Sequence, residues 1–535
     1  MPPRAPAQDH LAVVSDDEVV SNAVGPEKKQ PPTQRGIPKS THTFHWELNL
    51  YSFGFLALVY YLMPESKRPI AHVIFALITI DACRYYYNKG NMAGVPYTLP
   101  MVSLIAMIVK PNRFWEEMAS IAMTNDGICT NQLVGNFLVF ATDPKKCRQI
   151  LTGEGTYGVY AHPNALWLFG PKNLIYLEQE RHKKFRGILT PAMFSKDSLT
   201  QFAEIQERVV RSYMDKFATG DNVHNLLLTF RSMAAASSQE SFLGPYLDEE
   251  QREHLEEDIL TFTLGFLCFP FPYFNSGLHK AIKAKKRIEK TIRDIVPKAR
   301  AYIEAGNEPR CMMEHWSVSI INESKAQGVD PQELDCCRDE DMARTVLDFL
   351  FAAQDATNSA LTYALDVLDA HRDVLKKMRK EVKSVCRGGA VWDKKEQMPY
   401  TAKVANQLLH HKPPVPMIPY LSKKPSSLGG YRIPTGTITI PSITYSARAN
   451  GTSLDFIPER EDDDHMFVKC LTFGGGQHKC PGRKYAESLL HVFLAVVAQE
   501  YDFERTGPRP ETDDFIYFPT IFPRDSNFVI KKLAA

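Results

Sequence analysis

The chain has 535 residues, 44% apolar and 23% charged, enough to bury a large core and too apolar for a wholly disordered chain. Lys and Arg number 63 against 62 Asp and Glu, a net charge of +1, so bulk charge draws it to no nucleic acid. The 10 cysteines are scattered without a Cys-x-x-Cys pair, which reads as reduced thiols on the cytosolic side and not as a disulfide scaffold.

Residues 1–42 are polar, carry no secretory apolar region, and read as a disordered tail. Two apolar runs follow, about Leu50 to Met63 and Ile70 to Cys83, parted by Pro64-Glu65-Ser66-Lys67-Arg68-Pro69. Each is shorter than the roughly 20 residues of a spanning helix. A third run, Met101 to Val109, is shorter again. Tyr51, Tyr60, Tyr61 and Tyr85 to Tyr87 suit lipid headgroups, and Arg84 and Lys89 suit a cytosolic side. The pair therefore reads as a membrane anchor, spanning or re-entrant, with buried helices of a soluble domain as the alternative. On this reading residues 43–96 are anchor and linker, and 97–535 are one large domain.

Phe137 to Phe140, followed by Ala141-Thr142-Asp143-Pro144, reads as a strand, a turn and a helix start. Residues 151–170 gather Gly and aromatic residues, Tyr157 among them, around His162-Pro163. That loop either lines an apolar site or packs at the surface. From Glu178, acids followed by bases mark a helix start, with His182 and Arg186 four apart on one face. Helical periodicity continues through 198–218, 223–240 and 248–270, the last ending in the apolar, proline-broken run Leu264 to Pro272.

Asp339 to about Ala370 is the longest helical pattern and contains neither Gly nor Pro. Its middle, Phe351-Ala352-Ala353-Gln354-Asp355-Ala356-Thr357-Asn358-Ser359, is small and polar. Such residues inside an apolar helix leave space that something else fills, or form a polar seam against another helix. Tyr431 to Pro441 reads as a β-hairpin built around Pro434-Thr435-Gly436. Phe473-Gly474-Gly475-Gly476-Gln477-His478-Lys479-Cys480-Pro481-Gly482 then strips side chains from a turn that leads into an apolar helix. A cysteine at such a helix start favours a thiolate. Without a second ligand at metal-finger spacing, that thiolate suits haem iron better than zinc.

Phe-x-x-Gly-x-x-x-Cys-x-Gly, complete at Phe473, Gly476, Cys480 and Gly482, resembles the haem-binding loop of the cytochrome P450 superfamily. The resemblance implies a mostly α fold with a small β region, an N-terminal membrane anchor and a haem b cofactor. Cys480 would be its axial ligand, with Phe473, Gly474, Gly482 and His478 around the haem. His182 and Arg186 match the helix that meets a haem propionate, with His182 in the usual tryptophan place. Asp355 falls at the acid of the oxygen-activating helix and Ala356 at its usual threonine, so Thr357 would take over part of the proton network. Gln407 and His410 stand where the family's Glu-x-x-Arg brace belongs, while Pro458-Glu459-Arg460 is kept. Substrate contacts are implied at Tyr157, Phe271, Phe351, Ala352, Val415, Met417, Thr520 and Ile521.

Phe242-Leu-Gly-Pro-Tyr, Phe269-Pro-Phe-Pro-Tyr, Gln354-Asp-Ala-Thr and Pro519-Thr-Ile resemble one sub-group, the sterol 22-desaturases. That implies oxidation of a membrane sterol at the endoplasmic reticulum, with the catalytic domain facing the cytosol. Electrons would come from NADPH through a cytochrome P450 reductase, with cytochrome b5 as an optional second donor. Hydroxylation of another lipid, and a non-catalytic haem or sterol binder, are the alternatives. No nucleic-acid partner is expected.

Overall fold

Long amphipathic segments make this a helical protein, and the helix nobody could overlook in the sequence becomes its axis. The computed structural model describes residues 43–534, apart from 161–162, 178, 221, 336, 450–454, 460–470, 510–514 and 519. The expected tail 1–42, His162 and Arg460 therefore lie outside the described residues. Seven helices carry the argument: α1 (Phe44–Leu62), α2 (Arg68–Lys89), α3 (Gln179–Phe194), α4 (Leu226–Leu243), α5 (Gly277–Glu304), α6 (Asp339–Ala370) and α7 (Arg483–Glu500). Helix α6 packs against α4, α5 and α7, and Leu350, Leu361, Ala364 and Leu365 of it are fully buried. Asn358 Nδ2 donates to Leu227 O of α4 at 2.7 Å, so the polar middle of α6 is partly a seam between helices.

The sheet side is small. Five strands lie in the order Ile128–Leu133, Asn136–Ala141, Ile438–Pro441, Tyr420–Ser422, Tyr157–Val159. Asn136–Ala141 runs parallel to Ile438–Pro441, and the other neighbours are antiparallel. The expected strand, turn and helix start is present: Asp143 accepts from Lys146 N at 2.9 Å and caps the helix Pro144–Thr152.

The expected hairpin around Pro434-Thr435-Gly436 is not formed. Tyr431–Ile433 pairs backwards with Ser426–Leu428, across Gly429 and Gly430 at φ of 58° and 91°. Two consecutive residues at positive φ make the tight turn that matches strand twist, and only glycine adopts it freely. Ile438–Pro441 is buried along its whole length and takes a central place in the five-stranded sheet.

Helices α1 and α2 are held at their feet and bare along their length. Phe44 is buried, and His45 Nδ1 lies 2.6 Å from Glu117, both side chains fully buried. Tyr85, also fully buried, donates to Val95 O at 2.6 Å. Beyond those feet Leu50, Phe55, Leu58, Ile70, Val73 and Leu77 are exposed. Among the described residues no helix is long and apolar enough to cross a membrane.

Candidate active site

The glycine-rich turn is fixed by its own backbone. Cys480 N–H donates to Phe473 O at 2.8 Å, and Gly474 N–H to Leu471 O at 2.9 Å. Gly476 sits at φ +60°, and a Cβ there would meet Leu151 O at 2.7 Å. A side chain at that position is therefore excluded twice, by conformation and by space. Gln477 Nε2 reaches Gln179 O at 2.9 Å and ties the turn to the start of α3. Arg483, at the start of α7, pairs with Glu487 at 2.8 Å and lies over the Phe473 ring.

Cys480 is half-exposed, yet its thiol is enclosed well enough that burial pushes it upward. A backbone hydrogen bond from Gly482 and the charges of Arg186 and Arg483 pull the other way. Alone, then, the thiol stays protonated at neutral pH. A metal bound to the sulfur would complete the ionisation.

Beside the thiol lies a basic cradle. The rings of His182, on α3, and His478 stand 4.8 Å apart, and Arg186 comes one turn after His182. His182 is buried and held down to about 4, by burial first, then by His478 and Arg186. His478 is also held down to about 4, by burial, Arg186 and Lys423. Burial lowers Arg186 while the charge of Cys480 supports it, and burial lowers Lys423. Among the described residues Arg186 forms no ion pair with any carboxylate. A half-buried guanidinium beside two neutral-leaning histidines and a thiol fits a ligand that brings its own carboxylates.

These depressed histidines give a pH dependence with a definite sign. The unfolded chain takes up their protons below the ordinary value of 6.5, the folded protein only near 4. His491 of α7 behaves alike, buried with both ring nitrogens unpartnered and held down to about 3. Stability of the cofactor-free protein should therefore fall as pH drops from about 6.5 toward 4, measured by thermal unfolding. His491→Leu should blunt that fall and stabilise by ~1 kcal/mol at neutral pH, since it removes unsatisfied buried polar atoms.

On α6, Ala352 is exposed although the helix is packed on several sides and Gln354 and Asp355 beside it are buried, so its side chain faces open space, the hollow of this site. Phe351 and Ala356 are half-buried beside it, while Asp355 and Thr357 are buried. Arg231 of α4, which sequence reasoning missed, meets Asp355 with Nη1 3.2 Å from Oδ1. Burial raises the Asp355 carboxyl and Arg231 counters it. A lone arginine inside the apolar and small-residue stretch of 226–238 was the signal that could have found it. Lys423 gave no such signal.

Three segments expected to border the hollow do converge. Ser359 Oγ of α6 donates to Ile521 O, and Ile521 N–H donates to Pro414 O at 3.0 Å, next to Val415. Thr520 and Ile521 are buried there. Three other expected contacts are placed elsewhere. Tyr157 is packed in the sheet-side core with its hydroxyl 3.1 Å from Ser426. Met417 is packed among Leu138, Phe140 and Ile440. Phe271 is 60% exposed on the loop before α5. Gln407 and His410 are both buried on the helix Pro399–His411.

A single thiol on a glycine turn, a basic cradle and a hollow under a long helix define a haem-thiolate oxidoreductase. Residues 94–521 match the Cytochrome P450 family. The chain belongs to that family. It is 30% identical over 474 residues to cytochrome P450 710A2 of Arabidopsis thaliana, covering 85% of this chain and 94% of that one. To the C-22 sterol desaturase erg5 of Aspergillus fumigatus it is 28% identical over 488 residues, 85% and 92% of the two chains. The C-22 sterol desaturase ERG5 of Saccharomyces cerevisiae is 27% identical over 479 residues, 85% and 88%. The structure of a retinoic acid-bound cyanobacterial CYP120A1 shares the fold with a TM-score of 0.68 at 19% identity, covering 82% of this chain and 99% of that one. Membership implies a haem with a cysteine thiolate ligand, and the donor set here fits it: one thiol on the glycine turn, a basic cradle beside it, and open space at Ala352 of α6.

Proposed function

We propose that this protein is a sterol C-22 desaturase. The observation that carries the reading is similarity along 85% of the chain to C-22 sterol desaturases of two fungi. The reaction removes one hydrogen from each of two adjacent side-chain carbons. Dioxygen takes those hydrogens with two electrons and two protons, leaving a double bond and two waters.

Cys480 would hold the iron, and His182, Arg186, His478 and Lys423 would receive the carboxylates of the haem, with Phe473, Gly474 and Gly482 along its face. The haem, when bound, supplies the oxidant that abstracts hydrogen. Everything else is left to the chain. Phe351, Ala352, Val415, Thr520 and Ile521 would hold the side chain of the sterol, and the apolar surroundings would exclude water. Asp355 would hold a proton at its carboxyl under the restraint of Arg231, with Thr357 as the hydroxyl in place of the threonine absent at Ala356. Electrons from NADPH would enter through a cytochrome P450 reductase, with cytochrome b5 as an optional donor, near Lys479, Arg483 and Lys484. The exposed apolar residues of α1 and α2 suit membrane lipid, at the endoplasmic reticulum with the catalytic domain toward the cytosol.

Membranes carrying the protein and a reductase, supplied with candidate sterols, should yield a product two hydrogens lighter by mass spectrometry. A hydroxylated lipid instead of an alkene would favour a monooxygenase of the same fold. Sterol binding without turnover would favour a non-catalytic binder, the reading to which Gln407 and His410 in place of the Glu-x-x-Arg pair lend support.

A further inference from the structure

Asp348 stands on α6 one turn before Ala352, along the stripe that continues to Asp355. Asn173 Nδ2 donates to its Oδ2 at 2.5 Å. Asp348 is half-buried and its Oδ1 has no protein partner among the described residues, and burial holds the carboxyl well above the usual carboxylate range. The charged groups around it are engaged elsewhere. Lys285 and Glu289 of α5 lie 3.7 Å from each other, and Arg344 meets Asp341 at 2.8 Å. Tyr176, the last residue of the turn Leu174–Tyr176, donates its N–H to Asn173 O at 3.0 Å, and burial first, then Asp348, pushes its phenol up to about 12.

The wall beside Asp348 is aromatic. Phe169, Phe262, Phe266 and Phe351 form a cluster, with Phe351 5.2 Å from Phe266 and 5.4 Å from Phe169. Three residues before Phe351 on the same helix, one uncommitted carboxyl oxygen is a polar orienting group next to that aromatic cluster. At 1.5 Å per residue, Asp348 lies about 12 Å along the helix from Ala356, roughly the length of a fused four-ring nucleus.

We propose that Asp348, held by Asn173 and flanked by Tyr176, is the specificity-determining group that binds the ring hydroxyl of the sterol. This rests on the sterol reading above and says how that substrate is oriented. A carboxyl and an alcohol each offer a donor and an acceptor, so they can pair reciprocally, and capping the alcohol as an ether removes its donor. A site built to hydrogen-bond a hydroxyl rejects the analogue lacking it more strongly than an apolar pocket rejects extra bulk.

The test is equilibrium binding to the full-length haem-loaded protein of cholesterol and a 24-alkyl sterol, each as the free 3-hydroxyl and as its 3-O-methyl ether. Wild type should favour the free alcohols by about 10-fold or more. Asp348→Ala should lose that preference by weakening the alcohols and leaving the ethers unchanged, and the isosteric Asp348→Asn should keep part of it. Preference retained in Asp348→Ala would overturn the assignment, as would equal weakening of alcohol and ether. Wild type binding none of the four overturns the sterol reading itself, so the two failures are distinct.

Discussion

Cys480→Ser abolishes turnover and the thiolate-type carbon monoxide spectrum while leaving the fold intact: that is the expected result with the largest effect on activity. The substitution exchanges one atom, and the backbone hydrogen bond from Cys480 N–H to Phe473 O is untouched by it. Thermal stability of the cofactor-free protein should therefore stay within ~0.5 kcal/mol. What changes is the charge available to iron. Burial raises the Cys480 thiol, but Gly482, Arg186 and Arg483 are arranged to favour its anion once a metal is present. Serine in the same place has a far less acidic hydroxyl and remains neutral. A loss of roughly 10³-fold or more corresponds to about 4 kcal/mol of transition-state stabilisation. Sterol turnover within 10-fold of wild type would refute the ligand assignment. The same argument requires haem uptake to release a proton from wild type.

Local features of the chain were legible because their causes are local. Asp143 before Pro144 is a cap that needs only three residues to be recognised, and it caps. Helix α6 runs Asp339–Ala370 as its uninterrupted periodicity requires. What the sequence concealed depends on partners far along the chain. His45 pairs with a glutamate 72 residues on, and no pattern near either residue announces it. Tyr431–Ile433 chose Ser426–Leu428 because Gly429-Gly430 offers a tighter turn than Pro434-Thr435-Gly436, a competition between two local signals that the fully buried Ile438–Pro441 then settled. The site divides the same way. Cys480 is marked by its own glycine-rich turn, whereas His182 and Arg186 read locally as part of a charge run and stand out only through the resemblance to the family's propionate helix. Arg231 and Lys423 complete the electrostatics from other elements: Arg231 stands out only as a lone charge in the apolar stretch 226–238, and Lys423 is indistinguishable in sequence from a solvated lysine.

Arg231→Met should destabilise the protein more than any surface change, and the pH dependence of that loss identifies its cause. Asp355 is 6% exposed and, among the described residues, pairs with Arg231 at 3.2 Å, so removing the guanidinium strands a buried carboxylate. Breaking one side of a buried pair costs about 3–5 kcal/mol when the remaining charge has no refuge. Asp355 does have one, because burial already raises it and loss of Arg231 raises it further, toward a neutral carboxyl. A raised acid is stabilising below its unfolded value and loses that contribution as pH climbs through its folded value. The gap between wild type and Arg231→Met should therefore widen from acid toward neutral pH, as read by denaturant unfolding at each pH. A gap that is flat with pH would assign the loss to packing alone. Arg231→Met combined with Asp355→Leu removes both charges and should recover most of the stability at neutral pH. On the proposed role of Asp355 in holding a proton, the double substitution should regain the fold without regaining turnover, which should stay about 10²-fold below wild type. Stability and catalysis then separate at one ion pair, the first restored by two apolar side chains and the second dependent on a carboxyl that only Arg231 keeps in charge.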